Sequence, residues 1–282
     1  MFGKLIKYEW IAMIRAMLPV YVATLAVALI NGITINNMPL DTLVPPGASE
    51  FVEGLVAFIQ VLLALLYIAV LVGLFVMTFI VIVQRFYKGL LKDEGYLMFT
   101  LPVKTFQLTM SKAIVSSIIT CISMVVGIFA IGLLASGDFI MSLTEIPALL
   151  RELFRDIINT EVAGHIFLYI LECIVCMIVL LIGSIYTLYA AMALGQLSRN
   201  HKVAMSVVWY IIISIAQSVV GWVISMGFFL SLLSPEITTA LSGHPVALIH
   251  MILIGVAIFD AILMIVFIVI TDIVLDRKLN LE

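Results

Sequence analysis

Residues 54–84 read GLVAFIQVLLALLYIAVLVGLFVMTFIVIVQ, 31 residues without a charge, closed by Glu53 before and Arg85 after. A helix needs about 20 mostly apolar residues to cross the ~30 Å hydrocarbon core of a bilayer. This run exceeds that, and it shows none of the period-two alternation of a membrane barrel strand. One stretch therefore decides the class, a membrane-spanning helix. Three further charge-free runs have the same character: 25 residues between Arg15 and Asp41, 25 between Lys112 and Asp138, and 33 between Lys202 and Glu236. Two more are broken by single acids, Glu172 in one and Asp260 in the other.

The spacing predicts six spans, at about 16–36, 56–84, 112–135, 166–194, 203–233 and 246–271, in one transmembrane domain over 1–282. Composition agrees. Of the 282 residues, 64% are hydrophobic and 11% charged, and the mean hydropathy is +1.29. A soluble domain carries roughly 25% charged residues, so this chain lacks the polar surface to cover a water-soluble globule. Three cysteines, Cys121, Cys173 and Cys176, exclude a disulfide scaffold. No basic stripe interleaved with aromatics points to nucleic acid. The expected fold class is an all-α integral membrane protein.

Lys and Arg set the orientation. With the N-terminus in the cytoplasm, twelve of the fourteen basic residues fall on the inner side, and only Arg151 and Arg155 on the outer. Six spans then return the C-terminus to the cytoplasm. The first apolar stretch is longer than the ~7–15-residue core of a signal peptide and lacks a small-x-small cleavage site, so it reads as a retained helix. Ahead of it, residues 2–15 (FGKLIKYEWIAMIR) gather Phe2, Leu5, Ile6, Trp10 and Met13 on one side. That pattern predicts an amphipathic helix at the inner interface; its competitor is a plain extension of the first span.

Soluble-type chemistry is absent from the sequence. There is no G-x-x-x-x-G-K-[ST] to cradle ATP phosphates and no H-E-x-x-H zinc helix, and Gly183-Ser184 lacks the context of a nucleophile elbow. His165, His201, His244 and His250 are scattered. Cys173 and Cys176 lack the second pair that a zinc site requires, so packing is the expected role. No catalytic or metal-ligating residue is expected.

The intramembrane polar residues are Glu172, Gln217 and Asp260. An acid at mid-bilayer costs about 2.5–3.5 kcal/mol on insertion scales, and no span supplies a Lys or Arg against it. Asp260 falls near the middle of its span, where a substrate- or proton-contacting role stands beside a hydrogen-bonded packing role. Glu172 falls nearer the outer end, where packing is the expected role. In the fifth span Ser214, Ser218, Gly221 and Ser225 form a small-residue stripe beside Gln217, a packing or dimerisation face. In the outer segment 136–165, Leu149, Leu150, Leu153, Phe154 and Ile157 recur at helical spacing, as in an amphipathic surface helix.

The longest inner connection is RFYKGLLKDEGYLMFTLPVKTFQLTMSK, residues 85–112. Tyr96, Leu97, Met98, Phe99 and Leu101 make an apolar cluster after the charged Lys92-Asp93-Glu94 and a flexible Gly95. Pro102 biases residue 101 away from helix and limits the run. Exposed aromatics on a short cytoplasmic helix must be covered by membrane or protein. The segment is either an interfacial helix or a docking knob for a cytoplasmic partner.

The run Asp93-Glu94-Gly95-Tyr96-Leu97, with Thr100-Leu101-Pro102-Val103 and Ser111-Lys112 after it, resembles the segment between the second and third spans of ABC-2-type transporter permeases. Lys7-Tyr8-Glu9-Trp10 resembles the start of many bacterial members. The resemblance implies that residues 86–104 hold a short cytoplasmic coupling helix seated on a separate ATPase subunit through Asp93, Glu94, Gly95, Tyr96, Leu97 and Phe99. It implies that residues 2–15 are the interfacial elbow helix, and that two permease chains, identical or related, join two ATPases in a bacterial plasma membrane. ATP and Mg would sit on the ATPase, leaving this chain without a cofactor or an enzymatic activity of its own. The function implied is export of peptide, lipid-like or drug-like substrates. The outer segment 136–165 is longer than in the family pattern, and a re-entrant outer element would have to come from residues 226–245. The alternative from the residues themselves is a proton-coupled carrier using Asp260.

Overall fold

The computed structural model describes residues 2–37, 50–92, 95, 98, 100, 102–135, 145, 147–148, 151–152, 155, 163–198, 200–232 and 245–277. Among them no strand occurs. Six long helices carry the chain: α1 (Phe2–Asn37), α2 (Glu50–Leu91), α3 (Thr105–Ala135), α4 (Ala163–Gly195), α5 (Lys202–Leu232) and α6 (Pro245–Arg277). All six are long and apolar enough to cross a membrane. The expected spans fall one to a helix, except that residue 233 lies outside the described residues. With 42 residues, α2 extends roughly 63 Å at 1.5 Å per residue, about twice the hydrocarbon thickness.

Apolar side chains cover the outward faces. Val203, Val207, Ile211 and Ile215 of α5 are each more than half exposed. Water would not tolerate such a surface, whereas lipid does, because each helix satisfies its own backbone hydrogen bonds.

The stretch 2–15 is not a separate interfacial helix, because α1 is continuous from Phe2 to Asn37. The sequence explains the extension. Ala16, Met17 and Leu18 are good helix formers, and the first breaker is Pro19, inside the helix. Transmembrane helices accommodate such a proline.

The chain divides into two compact units. In the unit of residues 6–85 and 118–155, α1, α2 and α3 meet at a hydroxyl node. Tyr21 Oη lies 2.9 Å from Ser123 Oγ and donates to the Ile119 carbonyl at 3.3 Å, while Thr78 Oγ1 lies 2.8 Å from the same Ser123. Ala28, Tyr67 and Ala130 form a buried cluster in this unit. Its described residues between 145 and 155 are helical; the rest of the expected surface helix lies outside the described residues.

The other unit holds residues 1–5, 86–117 and 156–282. Here α4 packs on both α5 and α6. It runs parallel to α6, since Glu172 meets His250 and Cys176 meets Leu253. It runs antiparallel to α5, since Met192 meets Ser206 and Thr187 meets Gln217. The tight α4–α5 turn depends on Gly195. A Cβ there would fall 2.0 Å from Ser206 Oγ and 2.6 Å from the Ser206 nitrogen, so no side chain fits. His201 takes a left-handed φ of 57° before α5 begins.

Candidate functional site

One face of α4 carries His165, Tyr169, Glu172 and Cys176 at offsets of four, seven and eleven residues, and continues through Gly183 to Thr187. Helical geometry aligns such positions along one side. That side meets α6 and then α5.

At its beginning the face builds a hydrogen-bonded chain. His250 Nδ1 lies 2.8 Å and 2.9 Å from the two Glu172 carboxylate oxygens, and His250 Nε2 lies 3.3 Å from His165 Nδ1. The carboxylate accepts from His250 Nδ1, and the second ring nitrogen faces His165. Tyr169 stacks on the His250 ring at a centroid distance of 4.2 Å. Glu172 therefore has its partner on another helix. No group of three or more metal-ligating side chains is suitably placed among the described residues.

Further along, Cys176 donates its thiol to the Leu253 carbonyl at 3.3 Å, while Cys173 faces outward as a free thiol. The two cysteines point in different directions.

Beyond them α4, α5 and α6 line a half-open cavity of about 200 Å³, bordered by Asp260, Gln217, Thr187, Ser184, Ser214 and Tyr210 together with apolar side chains. No basic residue lines it. Ser184 donates to the Leu181 carbonyl at 2.8 Å and Thr187 to the Gly183 carbonyl at 3.0 Å. Gln217 Nε2 donates to Thr187 Oγ1 at 3.4 Å. Asp260 has no hydrogen-bond or ion-pair partner among the described residues. The small-residue stripe of α5 thus turns partly inward: Ser214 lines this cavity, and Gly221 and Ser225 line an apolar hollow against Gly255 and Phe259 of α6.

A third arrangement sits where α2 ends and α3 begins. Phe86 stacks on Tyr189 of α4 with centroids 3.9 Å apart, and Tyr186 meets Tyr189 edge-on at 5.7 Å. Ser116 Oγ of α3 lies 3.1 Å from Tyr189 Oη, and Tyr186 Oη donates to Thr109 at 3.4 Å. Both tyrosines are fully buried. Just beyond α2, Gly95 is buried and its amide donates to the Lys92 carbonyl at 2.7 Å. A Cβ at Gly95 would fall 2.5 Å from the Leu90 carbonyl oxygen, so the backbone at Gly95 packs closely against Leu90. Asp93, Glu94, Tyr96, Leu97 and Phe99, the other expected docking residues, lie outside the described residues, as do residues 233–244 of the expected re-entrant element.

Sequence reasoning missed His250 as the partner of Glu172, and His165 and Tyr169 as neighbours of the His250 ring. The regular spacing of His165, Tyr169 and Glu172 on α4 was the available signal; the pairing with His250 needed the parallel neighbour α6. Comparison with family models, with curated proteins and with solved structures finds no match to this chain.

Proposed function

We propose that this chain is the membrane-spanning permease subunit of an ATP-driven transporter of the ABC-2 type, exporting peptide, lipid-like or drug-like molecules. The observation that carries the reading is the run Asp93–Leu97 with Thr100–Val103, placed in the 13-residue connection between α2 and α3 of a six-helix chain. Without a P-loop the chain must draw its free energy from elsewhere. A separate ATPase gripping residues 93–99 would move the adjoining ends of α2 and α3. The Phe86–Tyr189 stack and the Ser116–Tyr189 contact then supply a rigid link to α4, whose Thr187 lines the cavity. Packed elements of this kind shift as units between discrete arrangements.

In this reading residues 86–104 and both termini face the cytoplasm of a bacterial cell. A second permease chain, identical or related, completes the pathway. ATP and Mg belong to the ATPase. The extension of α1 through residues 2–15 takes the place of an elbow helix.

The unpartnered Asp260 supports one competing reading, a proton-coupled carrier with Asp260 as the coupling acid. The double substitution Tyr96→Asp with Phe99→Asp tests the lead reading. Membrane insertion persists and ATPase association is lost; association at the wild-type level would remove the docking assignment.

A further inference from the structure

We infer that the cavity between α4, α5 and α6 is a binding site for the ammonium head group of a primary amine carried on an apolar body. The inference deepens the permease reading by naming a substrate class, and rests on that reading for transport but not for binding.

The argument starts from which hydrogen-bonding groups are already committed. The hydroxyl protons of Ser184 and Thr187 go to carbonyls of their own helix. Their oxygens keep lone pairs, and only Thr187 shares one, with Gln217 Nε2. The Asp260 carboxylate, an acceptor without a hydrogen-bond partner among the described residues, lines the same cavity. Such a lining is rich in acceptors and holds a carboxylate with no basic residue opposite it. The Tyr210 and Ser214 hydroxyls and the second N–H of Gln217 are donors too, but the one formal charge in the lining is the Asp260 carboxylate, which repels an anion and attracts a cation. An ammonium has three donors and no acceptor, which matches the lining.

Size sets the class further. Pockets that enclose a whole drug-sized molecule run from about 300 Å³ upward, whereas this cavity is about 200 Å³. It takes a head group and leaves the body outside. Apolar side chains flank the polar patch, among them Leu180, Leu263 and Phe267, and suit the first carbons of an alkyl chain. A proton alone would need the carboxylate but not the space around it.

The test uses the purified full-length chain in phosphatidylcholine nanodiscs, titrated with n-octylammonium and read by calorimetry against empty nanodiscs. The expected result is saturable binding of one probe per chain, weakened at least tenfold by Asp260→Asn, with n-octanol and octanoate giving no saturable binding. A second variant, Ser184→Ala with Thr187→Val, removes two acceptors and leaves the carboxylate; it weakens binding several-fold and decides the matter if Asp260→Asn does not fold. Unchanged affinity in the folded variants, or equal binding of n-octanol, would overturn the inference. Loss of this site with ATPase association intact removes the substrate class alone. Binding retained in a protein that brings no ATPase with it from its own cells removes the permease reading and keeps the site.

Discussion

Phe86 of α2 and Tyr189 of α4 stack with their ring centroids 3.9 Å apart and their planes 18° from parallel. Both rings are fully buried, and the Tyr189 hydroxyl lies within hydrogen-bonding distance of Ser116 on α3. Three helices thus share one aromatic contact beside the connection between α2 and α3 that is proposed to dock an ATPase. A buried aromatic pair contributes about 0.5–1.5 kcal/mol beyond its area.

Under the proposed ATP-driven account, breaking that contact should separate energy use from transport. In Phe86→Leu with Tyr189→Leu, the partner ATPase still associates and hydrolyses ATP, while transport per ATP falls roughly fivefold, the equivalent of about 1 kcal/mol of lost coupling. Transport and hydrolysis measured together in proteoliposomes check this. An unchanged ratio would remove the stack from the coupling route.

The Glu172–His250 pair predicts a smaller, structural effect. Interhelical polar contacts in membranes average about 0.6 kcal/mol and reach about 1.7 kcal/mol. A double-mutant cycle with Glu172→Gln and His250→Leu should give a coupling energy in that range from detergent unfolding curves. Additive single effects would show that the observed 2.8 Å contact contributes nothing to α4–α6 association.

Gly195 predicts a steric penalty that its neighbour cannot relieve. Gly195→Ala places a methyl against Ser206, with a cost typical of overpacking, about 1–3 kcal/mol. Ser206→Ala removes the hydroxyl but not the backbone nitrogen 2.6 Å from the new carbon, so it restores little. Melting temperatures of the single and double variants in detergent test both statements.

Asp260 separates the two energy sources. Under the ATP-driven account, flux in energised vesicles survives a protonophore and stops when ATP is withdrawn. Flux abolished by the protonophore, and insensitive to ATP, would favour the proton-coupled carrier.

The helices were legible in the sequence because charge-free runs of 25 residues or more admit little else. Gln217 and Asp260 were legible as intramembrane polar groups for the same reason, and they do meet at one cavity. What they face was not legible. The cavity and the Glu172–His250–His165 chain depend on α4 lying parallel to α6 and antiparallel to α5, an arrangement that periodicity within one helix does not encode. Residues 2–15 left two readings open because their amphipathic pattern suits an interfacial helix as well as a plain extension of the first span; the helix is continuous through Ala16–Leu18. Gly95 carries an ambiguity of another kind. A glycine can supply freedom or closeness, and here the Leu90 carbonyl occupies the space a side chain would need.

The most direct test is mild-detergent purification of the tagged full-length chain from its own cells, followed by mass spectrometry of whatever accompanies it. The account predicts a P-loop ATPase in stoichiometric amount, lost in the Tyr96→Asp, Phe99→Asp variant. A folded preparation that carries no ATPase would contradict it.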